Sequence, residues 1–304
     1  MELITSSKNS SFRLLKDLKK RAVRETLRLT FIEGTRFVAE AMEVRWPVES
    51  IYVSLSFSRT TAFQILESSF DAIGSIPIIL SDSLFQSASD TQTPQGILAV
   101  IRFLDCSVSD LFYRSANHGE MYVEGADACR TMIKDRPQAG DTNACRILIL
   151  DGIQDPGNAG TMIRTAEAAG FSGVVLSDGC VDLYSPKTLR ATMGSVFRVP
   201  IVVQANLPEL ICSLRERSIT VYGTMPDVTL HCYNCDFSSD DFALVIGSEA
   251  FGIRKEVAEL CDRLIQIPMP GNAESLNASI AASILMFEAV RRKLQSNQAD
   301  KALT

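Results

Sequence analysis

Residues 146–176 leave the chain few choices. An apolar run, Arg146-Ile147-Leu148-Ile149-Leu150-Asp151, is followed by the turn Gly152 to Gly157 and by an alanine-rich segment that closes at Gly170. A second apolar run, Val174-Val175-Leu176, comes next. A β-branched run, a Gly/Pro/Asn turn, a small-residue helix and a further apolar run spell strand, loop, helix and parallel strand. Asn158 is the expected N-cap, its side-chain oxygen taking an orphan amide of the first turn, and Gly170 the residue that ends the helix. Ala159, Ile163 and Ala166 share one face, while Arg164 lies on another about a turn in from the cap. Taken alone, Arg164 reads first as a solvated helix arginine, although loops at the carboxyl ends of parallel strands are where open α/β sheets hold ligands.

The same rhythm continues downstream. Ser185 and Pro186 form an N-cap and a first helical residue, with Leu189, Met193, Val196 and Phe197 expected on one helix face. Ile201-Val202-Val203 is a strand, Leu207 to Arg217 a helix, and Ile219 to Gly223 a strand. An irregular acidic connection through Asp240 and Asp241 leads to the buried-type strand Phe242 to Gly247, which runs into the turn Ser248-Glu249-Ala250-Phe251-Gly252-Ile253. A helix over 254–260 and the strand Leu264 to Pro268 precede a third turn, Met269 to Ser275. The final helix, starting near Leu276, is nearly apolar all round and is expected to end on Arg291, Arg292 and Lys293, cations suited to its C-terminal dipole.

Three glycine-rich or polar loops thus follow strands of one parallel sheet and should emerge at one edge of it. They bring Asn158, Arg164, Glu249, Ser275 and Asn277 toward a single pocket, with exposed backbone at Gly247, Ile267 and Leu276. A pocket lined by main-chain groups and few charges suits an uncharged adenosine-type ligand better than a triphosphate. Neither the Walker loop nor Gly-x-Gly-x-x-Gly is present, which weighs against kinase, GTPase and NAD-dependent functions.

At 304 residues the chain has room for two domains. Residues 1–104 read as a small α/β unit. A long helix is expected over 11–29, then a strand and turn at Phe31-Ile32-Glu33-Gly34 and a helix stopping before Pro47. Short elements follow: strands at 51–53, 76–80 and 96–103, helices at 62–68 and 82–88. Residues 105–143 lose all periodicity and mark an irregular linker, leaving 144–304 as the second domain.

The net charge of −6 argues against a generally basic surface, so any nucleic-acid contact should be local. One such excess lies in the first helix, where Arg13, Lys16, Lys19, Lys20, Arg21, Arg24 and Arg28 face only Asp17 and Glu25; it reads equally as a phosphate-binding stripe or a solvated face. The 8 cysteines sit in core-like elements and fit a reducing compartment. Cys232-Tyr233-Asn234-Cys235 has knuckle spacing without a second pair, so no metal site is expected. No apolar run can span a bilayer. The first residues lack a signal or transit pattern, which suits a bacterial cytoplasm, or a chloroplast or mitochondrion with the targeting segment absent.

Several motifs carry a family resemblance. Asn158-Ala159-Gly160 with Arg164, Ile246-Gly247-Ser248-Glu249 with Gly252, and Ile267-Pro268-Met269 with Ser275-Leu276-Asn277-Ala278-Ser279 resemble the three signatures of the SpoU/TrmH branch of SPOUT RNA 2′-O-ribose methyltransferases. Ser185-Pro186-Lys187 with Arg190 to Ser195 is similar to the same branch, and Phe31 to Gly34 with Thr93 to Ile97 resembles its L30e-like RNA-binding domain. The resemblance implies a trefoil-knotted α/β catalytic domain with a parallel sheet, plus the smaller N-terminal domain. It also implies S-adenosylmethionine as cofactor, held in a bent shape, and a homodimer joined largely through the final helix. The cofactor would rest on Gly247, Ser248, Ile267, Met269 and Leu276. Arg164 would act at a ribose 2′-hydroxyl among Asn158, Glu249, Ser275 and Asn277. RNA would be gripped by Lys16, Lys19, Lys20, Arg24, Glu33 and Arg190. Ribosomal RNA, with guanosine favoured, is the expected substrate; transfer RNA, or a non-catalytic role in ribosome assembly, is the alternative.

Overall fold

A computed structural model describes residues 3–104, 106–112, 144–237 and 241–302. Its contacts divide the chain into two compact units, Met1–Leu104 with Asp182–Phe197, and Asp105–Val181 with Arg198–Thr304. Residues 182–197, expected within the second domain, therefore cluster with the first.

The first unit contains β1 (Leu3–Ile4), α1 (Ser10–Asp17), α2 (Arg21–Leu27), β2 (Leu29–Glu33), α3 (Thr35–Glu43), β3 (Val48–Ser54), α4 (Thr61–Ala72), β4 (Ile78–Leu80), α5 (Asp82–Ala88) and β5 (Ile97–Arg102). Its mixed sheet has the order β1-β4-β3-β5-β2, with β5 antiparallel to both neighbours. The strand β1 has no counterpart among the expected elements; it pairs parallel with β4. Phe12, Leu15, Leu18, Phe31, Tyr52, Leu98 and Val100 form the core on one face, each such side chain contributing about 1.5–3 kcal/mol on burial.

The single helix expected over 11–29 is broken in two. Arg24 is the cause: it is buried, and its Nη1 donates to the carbonyls of Leu18 and Lys19, both at 2.9 Å. Those are acceptors that α1 leaves orphaned at its end. Its Nη2 meets Asp182 at 2.6 Å. Arg24 is thus a structural strut and not part of a solvent-facing stripe.

The second unit is built from β6 (Arg146–Asp151), α6 (Pro156–Ala168) and β7 (Gly173–Ser177). After α7 (Pro186–Ala191), which packs with the first unit, it resumes with β8 (Ile201–Ala205), α8 (Leu207–Glu216), β9 (Thr220–Thr224), β10 (Phe242–Gly247), α9 (Lys255–Ala258), β11 (Arg263–Ile265) and α10 (Ala278–Ala302). The sheet is parallel throughout, in the order β11-β9-β10-β6-β7-β8. Strands β6, β7 and β10 are buried along their whole length, which explains their continuous apolar runs. Leu111, in the segment read as linker, packs into this core; residues 113–143 of that segment lie outside the described residues.

Two further expectations change. The helix α7 stops at Ala191, because Met193 and Gly194 take φ of 50° and 87°. Met193 therefore points outward at 51 % exposure instead of sharing the buried face of Leu189, Val196 and Phe197. The final helix runs on past residue 293, so Arg291 and Arg292 do not end it; both pair with Glu288 one turn back, at 2.6 and 3.0 Å. Apolar side chains lie on both the covered and the open sides of α10: Ala282, Leu285, Met286 and Ala289 are buried, whereas Ile280, Phe287 and Leu294 are exposed at seven-residue spacing. Six described cysteines are free thiols, and burial pushes Cys232 up to about 11 and Cys261 to about 12; Cys106 departs from the free-thiol expectation in being disulfide-bonded. Among the described residues no helix is long and apolar enough to cross a membrane.

Candidate active site

Because all six strands run the same way, their carboxyl ends line one edge of the sheet. Strands β6 and β10 are neighbours in register from Phe242 opposite Arg146 to Gly247 opposite Asp151, so the loops after them leave side by side.

The first loop is capped differently from expectation. Asp155 is the N-cap of α6, its Oδ1 accepting from the Asn158 amide at 2.8 Å, with Pro156 following in the first turn. The Asn158 side chain is thereby released. Its Nδ2 donates to Glu249 Oε1 at 2.9 Å, and its Oδ1 accepts from Asn277 Nδ2 at 3.0 Å. Asn277 Nδ2 also reaches Glu249 Oε1 at 2.5 Å, and the Ala278 amide donates to the same oxygen at 3.1 Å. The other end of Asn277 caps α10: its Oδ1 accepts from the Ser279 and Ile280 amides at 3.0 and 3.3 Å. One carboxylate oxygen therefore ties together the loops after β6, β10 and β11. Glu249 Oε2 has no hydrogen-bond partner among the described residues.

The loop after β10 is closed by its own backbone. Ser248 N donates to Gly252 O at 3.1 Å and Gly252 N to Ser248 O at 2.8 Å. A Cβ on Gly247 would lie 2.0 Å from the Gly252 carbonyl carbon, so only glycine allows this return. Asp151, 1 % exposed, anchors the far side: it accepts from the Arg254 amide at 2.9 Å and from Arg254 Nε at 2.7 Å. Asp151, Asp155 and Arg254 were not among the expected site residues. The signal for Asp155 was available in the sequence, since Asp three residues before Asn158 with proline between is itself a capping pattern.

The remaining site residues fall as follows. Ile267, Met269 and Leu276 are half-buried, and the main-chain groups of Ile267 and Leu276 have no partner among the described residues, which fits a ligand read through backbone. Ser275 is exposed and joins no contact in the cluster. Arg164 is exposed, about 9 Å further along the α6 axis than Asn158 and a third of a turn round it. It makes no ion pair or side-chain hydrogen bond among the described residues. Beside the cluster, a depression of about 470 Å³ is floored by Met225, Ile253 and Leu264.

In the first unit, Glu33 is buried and accepts from Ser89 Oγ, Thr91 Oγ1 and the Asp90 amide at 2.7, 2.6 and 3.1 Å. It braces a turn instead of facing solvent. Lys16 and Lys19 donate to Ser87 and Ser89 carbonyls at 3.1 and 2.7 Å; burial, then the charge of Lys16, hold the Lys19 ammonium below its ordinary value. Lys20 pairs with Asp17 at 2.9 Å and Arg190 with Asp90 at 2.7 Å. Among the described residues no cluster of metal-ligating side chains occurs.

A parallel sheet whose strand ends converge on a polar, backbone-rich cluster defines an α/β domain that holds a small ligand at its carboxyl edge. The SpoU rRNA Methylase family profile matches residues 146–287, and the MRM3-like substrate binding domain profile matches residues 9–99. The chain is 33 % identical over 287 residues to the 23S rRNA (guanosine(2553)-2′-O)-methyltransferase RlmP of Bacillus subtilis (strain 168), covering 94 % of this chain and 98 % of that one. Over 148 residues it is 38 % identical to 23S rRNA (guanosine-2′-O-)-methyltransferase RlmB of Xanthomonas axonopodis pv. citri (strain 306), covering 49 % and 59 %. The AdoMet-bound rRNA methyltransferase from Sinorhizobium meliloti superposes with a TM-score of 0.76 at 26 % identity, over 95 % of this chain and 97 % of that one. The chain belongs to the SpoU rRNA methylase family.

Proposed function

We propose that this chain is an S-adenosylmethionine-dependent RNA methyltransferase that modifies a ribose 2′-hydroxyl in ribosomal RNA, with guanosine the favoured nucleotide. The observation that carries the reading is Glu249 Oε1 joining Asn158, Asn277 and the Ala278 amide, because it assembles three distant motifs around one point. The unpaired backbone of Ile267 and Leu276, with Met269 in the same loop and Gly247 and Ser248 at the end of β10, would hold the adenosyl group.

Bound there, the cofactor supplies a sulfonium methyl, an electrophile that needs little activation. The chain's own task is then to place the attacking oxygen in line and assist loss of its proton. Glu249 Oε2, left free by the saturation of Oε1, accepts a hydrogen bond from the incoming hydroxyl. Asn158 and Asn277 fix the carboxylate. The Arg164 guanidinium serves as a grip for the RNA phosphate and a stabiliser of the developing alkoxide, on its own protomer or on a second copy. The exposed Ile280, Phe287 and Leu294 stripe of α10 supports a homodimer, and the family fold supports a knotted C-terminal region. The first unit, with residues 182–197, serves as the RNA-binding part.

Incubation with methyl-labelled S-adenosylmethionine and rRNA tests the reading. Label on ribose is expected; label confined to bases, or none on any RNA, would overturn it. Preference for tRNA in the same assay would move the substrate without moving the chemistry.

A further inference from the structure

Phe251 is 88 % exposed, the most exposed of the large apolar side chains described. Such exposure forgoes the stabilisation that burying a large apolar side chain gives, and here it does not come from a slack loop. The Ser248–Gly252 pair of hydrogen bonds closes the turn, Ser248 Oγ accepts from the Phe251 amide at 3.2 Å, and Arg254 fastened to Asp151 pins the exit. The ring is held out by a braced support. It borders the depression floored by Met225, Ile253 and Leu264. On the rim, Lys255 is 89 % exposed and meets Glu259 only loosely, at 3.8 Å.

We infer that Phe251 is a stacking platform for a nucleobase of the RNA substrate, with Lys255 beside it for the adjoining phosphate. The inference rests on the proposed ribose methylation at Glu249. Phe251 is two residues from Glu249, so their Cα atoms are at most about 7.6 Å apart, within the span of a base attached to, or next to, the reacting ribose. An aromatic face accepts any base and so fixes position without dictating sequence, and a lone flexible cation beside it matches one phosphate. The apolar floor offers the remaining contact. A second copy of the chain is the competing occupant of this ring.

Phe251→Ala, Phe251→Trp and Lys255→Ala test the assignment with the full chain. For Phe251→Ala, RNA affinity is expected to fall about tenfold or more, the order for loss of one stacked base, with S-adenosylmethionine affinity by calorimetry and oligomeric state by light scattering unchanged. Phe251→Trp should restore RNA affinity, and its fluorescence should be quenched on adding RNA. Lys255→Ala should weaken RNA binding at low salt and little at high salt. Unchanged RNA affinity in Phe251→Ala, absence of quenching in the tryptophan variant, or a shift in oligomeric state would overturn the assignment. Because these readings are binding and fluorescence, they stay distinct from a failure of the wild-type chain to methylate ribose.

Discussion

At the residue scale, the site works by dividing the two ends of small side chains. Asn277 uses its oxygen to cap α10 and its amide nitrogen to hold Glu249, so no isosteric change preserves both. Asn277→Asp should keep the cap and lose the donor, placing a second carboxylate against Glu249; a drop of about 10²-fold in kcat, measured on rRNA at saturating cofactor, is the expected result. Arg164→Ala should abolish transfer while leaving melting temperature and cofactor affinity nearly intact, since no other described residue leans on it. Normal turnover in that variant would remove Arg164 from the chemistry. Glu249→Gln keeps the shape of the carboxylate and replaces its charge, and a fall in kcat without loss of cofactor binding would mark Oε2 as the acceptor.

At the scale of elements, Asp155→Ala should cost about 1 kcal/mol, read as a shift in the urea midpoint, because the cap amide at Asn158 loses its acceptor. Gly247→Ala should open the 248–252 turn and abolish cofactor binding in calorimetry, given the 2.0 Å approach of its Cβ to Gly252. In α10, the hydrogen bond from Arg291, opposed by partial burial and helped by Arg292, holds the Glu288 carboxyl below its ordinary value. A depressed carboxylate contributes stability above its unfolded value near 4.5 that disappears as pH falls through the lower folded value. Glu288→Gln should accordingly flatten the acid limb of the melting-temperature profile below that point. Much of this scale was legible in the chain itself. The runs at 146–151 and 242–247 announced buried strands, and the Asn158, Glu249 and Asn277 motifs met as expected. What escaped has two causes. Arg24 splits a continuous periodic stretch into α1 and α2 while held by Asp182, 158 residues away, an acceptor that local periodicity does not register. Asp155 displacing Asn158 as cap and Glu288 pairing with Arg291 and Arg292 are contacts three or four residues apart, decided by polar side chains that a pattern of apolar positions leaves out.

At the scale of the whole molecule, a net charge of −6 makes RNA binding depend on a few placed cations. Lys16, Lys19 and Lys20 are proposed for this set, although each already answers a carbonyl or carboxylate. Charge reversal at Lys20, the one whose bond is a surface ion pair, should lower the slope of log affinity against log salt by about 0.7 if it meets a single-stranded phosphate. An unchanged slope would return the helix to a solvated face. The first unit is also discontinuous, taking in residues 182–197 as well as 1–104; Thr30 donates to the Tyr184 carbonyl at 2.7 Å, and Phe103 stacks on the Tyr184 ring at 3.7 Å. During synthesis, then, a chain emerging from the ribosome cannot complete its amino-terminal unit in order. That unit waits, with the contact surface for Tyr184 and Phe197 uncovered, for roughly 5 to 20 s of further elongation.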